Sequence, residues 1–321
     1  SLRYELAIPL PENDVEAANV AVLGLLVLAA TTVLSGVLVA LFATPIAETL
    51  GVPPLAGYLW LLPVGLLLAG GYNVFKYWSL RTKRFSTIAS TRIRQSLATV
   101  AIQLAAFKLG GVALIYAQVA GQSVGTIGLG RPAIAEKVFR EINWSGIISS
   151  IRRYKRFPLI TTWAGLLNTA GTKLPPLLIA SFFSAGPAGL YALAHRVLSL
   201  PMGVIGGSVQ SVFFAEAPSA NRENKLKNLV EKVFSRLSEI ALPPMLFLAI
   251  YGEETFSIVF GNRWAEAGKL ASVMAPWLFI QFCTGPLATI ITAIEKQHIA
   301  LLLQAQLFAI RFCAIFLQMR I

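Results

Sequence analysis

Long stretches without any charged residue constrain this chain more than any other feature. Four of them cover residues 17–47, 49–75, 109–130 and 270–294. A helix needs about 20 mostly apolar residues to cross the hydrocarbon core of a bilayer. The whole chain is 56% apolar and only 13% charged, whereas soluble domains contain roughly 25% charged residues. The sequence therefore predicts an all-α polytopic membrane protein and disfavours a soluble enzyme or a secreted domain.

Shorter uncharged stretches complete the predicted set of membrane spans. They cover residues 95–107, 157–172, 197–215, 240–252 and 299–310. Each becomes a span if its polar ends are included or if one cation inside the membrane is accepted. We therefore predict nine transmembrane helices.

The distribution of the 27 Lys and Arg residues agrees with nine spans, because cytoplasmic loops of membrane proteins are enriched in cations. Most of these cations fall in alternate loops on one side, at Arg3, at residues 76–94, 131–156 and 222–236, and at Lys296. The remaining cations are Lys108, Lys173, Arg196, Arg263, Lys269, Arg311 and Arg320. This pattern predicts a multi-pass protein of the cell (inner) membrane with a cytoplasmic N-terminus. A nucleic-acid partner is not expected despite the net charge of +12.

The longest predicted cytoplasmic segment, residues 131–156, divides the spans into two groups. Residues 1–130 would form a partial N-terminal lobe of four spans, and residues 157–321 a C-terminal lobe of five spans with its last one missing. Apolar residues at helical spacing between residues 134 and 151, opposite basic ones, predict an interfacial helix that links the lobes. An ordinary solvated linker is the alternative. The odd number of spans, the lack of an initiating Met and the end directly after a span predict an incomplete chain.

Several kinds of chemistry have no support in the sequence. The chain has no phosphate-binding loop of the GxxxxGK[ST] type, which ATP hydrolysis would need. It contains two histidines, His195 and His298, too few for a metal cluster, and its one aspartate, Asp14, lies outside the predicted spans. We therefore expect no enzymatic activity, no cofactor and no metal.

The sign of the charges inside the predicted spans is informative. All 15 acidic residues fall in loops or at span edges, whereas Lys173 and Arg196 lie inside apolar stretches. A cation at the centre of a span costs roughly 2.5–3.5 kcal/mol, so both are functional candidates. With an outer turn at residues 184–189, they lie roughly 16 and 10 Å deep on adjacent antiparallel helices and would face one cavity. Extension of each side chain to the outer interface is the alternative.

Polar residues at helical spacing extend this predicted cavity into other spans. The third span carries Arg92, Gln95, Thr99 and Gln103, the fourth Gln118 and Gln122, and the fifth Asn168 among other polar residues. A hydrogen-bonding, cationic cavity would accept an anion that bears sugars. The predicted substrate-binding residues are Lys173, Arg196, Arg92, Gln95, Gln103, Gln118, Gln122 and Asn168. Hydrogen bonds between tightly packed helices are the alternative explanation of these stripes.

Three segments carry a resemblance to a known family. They are RYELAIPLP at residues 3–11, GLYALAHRVLSLP at residues 189–201, and FGNRW at residues 260–264 with EAG at residues 266–268. They resemble bacterial polysaccharide biosynthesis proteins of the O-antigen flippase type, in the multidrug/oligosaccharidyl-lipid/polysaccharide exporter superfamily. Arg196 lies within the second segment, where His195 replaces the Gln expected in the family.

The resemblance implies a twelve-helix, two-lobed transporter whose third to eleventh helices correspond to the nine predicted spans. It implies translocation of a polyprenyl-diphosphate-linked oligosaccharide, the repeat unit of a cell-envelope polysaccharide such as lipopolysaccharide, by alternating access. The implied partners are the lipid-linked oligosaccharide, membrane lipid, and a polysaccharide polymerase or glycosyltransferase.

Two other functions stay open at this point. A drug/cation antiporter of the same superfamily would need carboxylates inside the membrane, and the predicted spans contain none. A noncatalytic membrane scaffold of a polysaccharide assembly complex would leave the cost of burying Lys173 and Arg196 unexplained.

Overall fold

The fold is that of an all-α protein. The computed structural model describes residues 2–49, 51–182 and 185–318, without the side chains of residues 109, 112, 173, 175–177, 179–182, 185 and 314–318. Within these residues there is no strand, which confirms the predicted class. The α-helices are α1 Asp14–Thr49, α2 Leu61–Arg81, α3 Phe85–Ala105, α4 Gly111–Ile134, α5 Trp144–Arg153, α6 Thr162–Phe182, α7 Ala185–Pro201, α8 Gly207–Arg222, α9 Leu226–Phe260, α10 Ala265–Thr284, α11 Ile290–Ala293 and α12 Gln297–Gln318.

The chain divides into two compact units, Ser1–Leu159 and Ile160–Ile321. In the first unit α1 packs against α2, and α4 packs against both α2 and α3. A short 3-10 helix, Tyr4–Ala7, precedes α1 and contacts it together with α2. Trp78, Tyr154 and Phe157 are the largest buried side chains of this unit, so aromatic packing at one end of α1 and α2 anchors the N-terminal segment and α5.

Arg81, at the end of α2, fastens the N-terminal segment to the helices. Its Nη2 and Nε lie 2.8 and 3.0 Å from Asp14 Oδ1. Its Nη1 donates to the carbonyl oxygen of Pro11 at 2.6 Å, and its Nη2 to that of Glu12 at 3.1 Å. The guanidinium thus binds carbonyl oxygens of residues that precede α1 and are not part of a helix.

In the second unit the most extensive helix pair is α9 with α10. Gly252 of α9 and Gly268 of α10 lie against each other's backbone, so neither position has room for a Cβ. A non-helical backbone conformation at Tyr251 kinks α9 one residue before this contact. Helix α7 packs against α10 and α6, and α12 packs along α6.

Four helical segments among the described residues are long and apolar enough to cross a membrane. They are Asp14–Thr49, Gly186–Arg222, Leu226–Phe260 and Asn262–Ala293. They contain the predicted spans at residues 17–47, 197–215 and 240–252 and nearly all of the one at residues 270–294. The chain is therefore a multi-pass membrane protein by length and composition, while nine spans and a twelve-helix, two-lobed architecture stay predictions.

The uncharged residues 49–75 contain the end of α1, a turn and most of α2. Helix α1 ends at Thr49, a 3-10 helix covers Pro53–Tyr58, and α2 begins at Leu61. Gly51 has a φ of +68°, a conformation that glycine adopts readily. The adjacent prolines Pro53 and Pro54 lack the amide N–H that would continue a helix from α1.

The segment at residues 131–156 differs from the single helix that its apolar spacing predicted. Its first residues complete α4, a 3-10 helix covers Lys137–Arg140, and α5 follows. The Asn143 side chain starts α5 by accepting a hydrogen bond from the Gly146 amide at 2.6 Å, as an N-cap residue does. Within α5, Ile147 is buried in the core of the first unit while Ile148 and Ile151 are exposed, so only one edge of the apolar face is packed.

Candidate functional site

The predicted site residues of the first unit lie on α3 and α4, which run antiparallel in close contact. Gln95 Nε2 donates a hydrogen bond to Gln122 Oε1 at 2.8 Å. This is the bond between helices that was the alternative explanation of the polar stripes. Gln103 is half-buried and Gln118 is exposed, and within the described part of the chain neither bonds to this pair.

Glycines on α4 permit this close approach. A Cβ on Gly125 would lie 2.6 Å from Gln95 Oε1 and 3.1 Å from Tyr72 Cδ2, and one on Gly128 would lie 3.0 Å from Thr91 Cγ2. Gly121 lies against the Thr99 hydroxyl in the same way. Small residues spaced along one face allow membrane helices to pack closely. The glycine face of α4 therefore brings the two glutamines together beside Tyr72 of α2.

Two cations lie near this pair without an acidic partner. Arg92 of α3 repels Lys76 of α2 and also acts electrostatically on the Tyr72 hydroxyl. Lys76 is half-buried and Arg92 is exposed, and in the described regions no carboxylate forms an ion pair with either. We call Tyr72, Lys76, Arg92, Gln95 and Gln122 the α2–α4 polar cluster. Its net positive charge favours an anionic ligand.

Two other cations near the ends of α2 and α3 are paired with carboxylates, unlike Lys76 and Arg92. Arg84 Nη1 lies 2.8 Å from Glu136 Oε1, which also accepts a hydrogen bond from Trp78 Nε1 at 3.1 Å. Arg81 binds Asp14 as described above. In the topology predicted from the sequence, Lys76 is only a loop cation, although it follows directly after an uncharged stretch and four residues after Tyr72. That helical spacing was the available signal.

In the second unit the structure does not join the predicted residues into one network. Arg196 on α7 and Asn168 on α6 are exposed. The carbonyl oxygen of Arg196 accepts a hydrogen bond from the Ser199 hydroxyl at 3.2 Å, and that of Asn168 accepts one from the Thr172 hydroxyl at 3.0 Å. The Lys173 side chain lies outside the described side chains, so its predicted role in the cavity stays a prediction.

Arg311 on α12 is a cation that the sequence analysis did not select. Its Nη1 donates to the carbonyl oxygen of Gly171 on α6 at 3.0 Å, and it acts electrostatically on Tyr191 of α7. The guanidinium lines a small crevice together with apolar residues of both helices, namely Ala170, Leu174, Leu178, Phe308 and Phe312. The topology predicted from the sequence places Arg311 at the outer end of the last span, but Arg311 lies well inside α12. The missed signal was the uncharged stretch on both sides of it.

These observations define a helical, multi-pass membrane protein in which, among the described side chains, Lys76, Arg92, Arg196 and Arg311 form no ion pair with an acidic residue. The chain belongs to a family of polysaccharide biosynthesis proteins, which matches residues 12–269. The resemblance inferred from the three sequence segments is thereby confirmed. No solved structure matches this chain.

Three curated relatives are similar to this chain. The succinoglycan biosynthesis transport protein ExoT of Rhizobium meliloti is 24% identical over 73% of this chain and 47% of its own length. The lipopolysaccharide biosynthesis protein WzxC of Escherichia coli is 24% identical over 48% of this chain and 31% of its own length. The teichuronic acid biosynthesis protein TuaB of Bacillus subtilis is 23% identical over 42% of this chain and 28% of its own length. The chain thus spans less than half of the length of each relative.

Proposed function

We propose that the protein containing this chain translocates a polyprenyl-diphosphate-linked oligosaccharide across the cytoplasmic membrane by alternating access. The family and the names of the relatives support a role in polysaccharide transport. The observation that carries the substrate class is the α2–α4 polar cluster, where Arg92 lies one helical turn before Gln95 and repels Lys76, and where neither cation pairs with a described carboxylate.

The chemistry of this cluster suits a diphosphate that bears sugars. A guanidinium such as that of Arg92 binds two phosphate oxygens at once, whereas the ammonium of Lys76 acts as a compact point charge. Gln122 Nε2 has no hydrogen bond within the described residues and is free to donate to a sugar hydroxyl. In the second unit Lys173, Arg196 and Arg311 supply further cations under this proposal, and Asn168 a further amide.

A proton-coupled drug/cation antiporter is the second candidate, because the first unit buries one carboxylate. Glu5 is only 5% exposed, and its Oε2 has no hydrogen bond. Its charge acts on Tyr77 of α2. A buried carboxylate of this kind is a possible proton site. We favour the lipid-linked anion because unpaired cations outnumber this single buried acid.

Uptake by vesicles containing the complete protein tests the proposal. We expect Lys76→Gln and Arg92→Gln together to lower transport of a polyprenyl-diphosphate oligosaccharide by at least about tenfold, which corresponds to about 1.4 kcal/mol. Arg94→Gln is the matched control, because Arg94 lies on the same helix but is exposed and bonds to Ser90. Equal transport by all variants, at equal amounts in the membrane, would refute a role of the cluster in substrate binding.

A further inference from the structure

Helix α5 has an apolar stripe that no other described residue covers. Trp144, Ile148 and Ile151 are 68%, 39% and 42% exposed, respectively. They repeat at intervals of four and three residues and therefore share one face of the helix. Ile147 and Ser150, on a neighbouring face, are buried against the first unit. The core thus already holds α5, and the stripe is not needed for that packing.

Exposed cations border this stripe. Arg152 lies beside it on the helix, and Lys155 and Arg156 follow in the next residues. No acidic residue occurs between residues 143 and 156. Arg153 differs from these cations, since its Nε lies 3.8 Å from Glu16 Oε1. The free side of α5 is therefore both apolar and positively charged.

The contacts of α5 with α1 fix its level relative to the membrane. The Asn143 amide donates to Asn19 Oδ1 at 3.4 Å, and the Tyr154 hydroxyl donates to Glu16 Oε1 at 3.3 Å. Glu16 is the last charged residue before the uncharged residues 17–47, so α1 enters the bilayer beside α5.

The same contacts fix the direction of α5. Between Glu16 and Asn19, α1 rises by about 4.5 Å, whereas α5 advances by roughly 15 Å between Asn143 and its last residue. Both ends of α5 therefore contact the same short stretch of α1, which indicates that α5 crosses α1 rather than running along it.

We propose that α5 is an interfacial helix that binds anionic phospholipids. The Trp144–Ile148–Ile151 stripe inserts among the headgroups, where tryptophan is favoured. Arg152, Lys155 and Arg156 bind lipid phosphates, because a negatively charged leaflet attracts basic residues next to a membrane span. This property is independent of the proposed transport, since it requires only that α1 spans the bilayer.

Spin labels on α5 test the proposal in the full chain. With Cys283 and Cys313 replaced by Ala, one variant carries Ile148→Cys and the control carries Ser149→Cys, which is exposed on the other side of α5. In phosphatidylcholine vesicles that contain phosphatidylglycerol, we expect the label at 148 to collide mainly with oxygen and the label at 149 mainly with an aqueous nickel chelate. Equal nickel access at both positions would show a solvated linker. Protection of position 148 from both reagents would show a protein partner, and either result would overturn the proposal.

A second experiment tests whether the cations of α5 are needed for its binding to anionic lipids. We expect the combined substitutions Arg152→Gln, Lys155→Gln and Arg156→Gln to lower the oxygen-to-nickel collision ratio at position 148 by about fivefold in vesicles with phosphatidylglycerol. In phosphatidylcholine alone, the parent and the substituted chain should give the same low ratio. Identical ratios for both chains in the anionic vesicles would contradict the role of these cations.

Discussion

At the scale of single residues, the partner of a cation determines its function. Arg81 is 10% exposed and satisfies Asp14 and two backbone carbonyl oxygens. Lys76 lies five residues earlier on the same helix, where Arg92 repels it and no described carboxylate pairs with it. Similar positions in the sequence thus give one cation that stabilises the fold and one that is available to a ligand.

Substitution of Arg81 should therefore destabilise the fold, whereas substitution of Lys76 should not. We expect Arg81→Gln to lower the free energy of unfolding by about 2 kcal/mol, because charged hydrogen bonds to the N-terminal segment are lost. Lys76→Gln should leave it unchanged or raise it slightly, because a repulsion with Arg92 is removed. Thermal unfolding of the purified protein in detergent measures both effects. Equal destabilisation by the two substitutions would show that Lys76 is structural.

At the scale of helices, the sequence predicted element type better than element limits. The absence of charge at residues 17–47 is local information, and it correctly predicted a long apolar helix at α1. The 3-10 helix at Lys137–Arg140, which divides residues 131–156, and the burial of Ile147 beside the exposed Ile148 depend on turns and on packing against α1. Such contacts join residues far apart in the chain, so hydropathy and spacing do not contain them.

The candidate site, too, was predicted from local spacing only in part. Helical spacing predicted that Gln95 and Gln122 lie on polar stripes, but only the packing of Gly125 against α3 brings their amides into contact. Lys76 was missed because the charge count used loops rather than helix faces.

The contact of α9 with α10 gives a prediction at this scale. A Cβ on Gly268 would overlap the carbonyl oxygen of Gly252 and lie 2.7 Å from Glu253 Cα. Because backbone atoms do not move as side chains do, we expect Gly268→Ala to cost about 1–3 kcal/mol of stability. Gly207→Ala in α8 is the control, since no atom lies within 4 Å of the added Cβ. Equal melting temperatures for the two variants would contradict this close contact.

At the scale of the whole molecule, α9 is long enough to place its two ends on opposite sides of the membrane. It contains 35 residues, and the 25 residues before its kink at Tyr251 alone rise by about 37 Å, more than the thickness of the hydrocarbon core. Lys225 precedes its first residue, and Arg263 follows its end. A helix of this length that crosses the bilayer must place these two cations on opposite sides.

Accessibility of single cysteines tests the predicted topology. Because cations concentrate in cytoplasmic loops, we expect an impermeant thiol reagent added outside cells to label Arg263→Cys but neither Lys137→Cys nor Lys225→Cys. Permeabilised cells should show labelling of all three. Labelling of Lys225→Cys from outside would reverse the orientation, and labelling of both ends of α9 from one side would refute the span.

The sign of the charge on the transported molecule tests the central claim most directly. Vesicles containing the complete protein can be supplied in parallel with a polyprenyl-diphosphate oligosaccharide and with ethidium. The unpaired cations at Lys76 and Arg92 should attract the diphosphate and repel the organic cation. We expect translocation of the lipid-linked oligosaccharide that is lost with Lys76→Gln and Arg92→Gln, and no ethidium transport. Proton-driven ethidium efflux that Glu5→Gln abolishes, without translocation of the lipid, would contradict the claim and establish the antiporter.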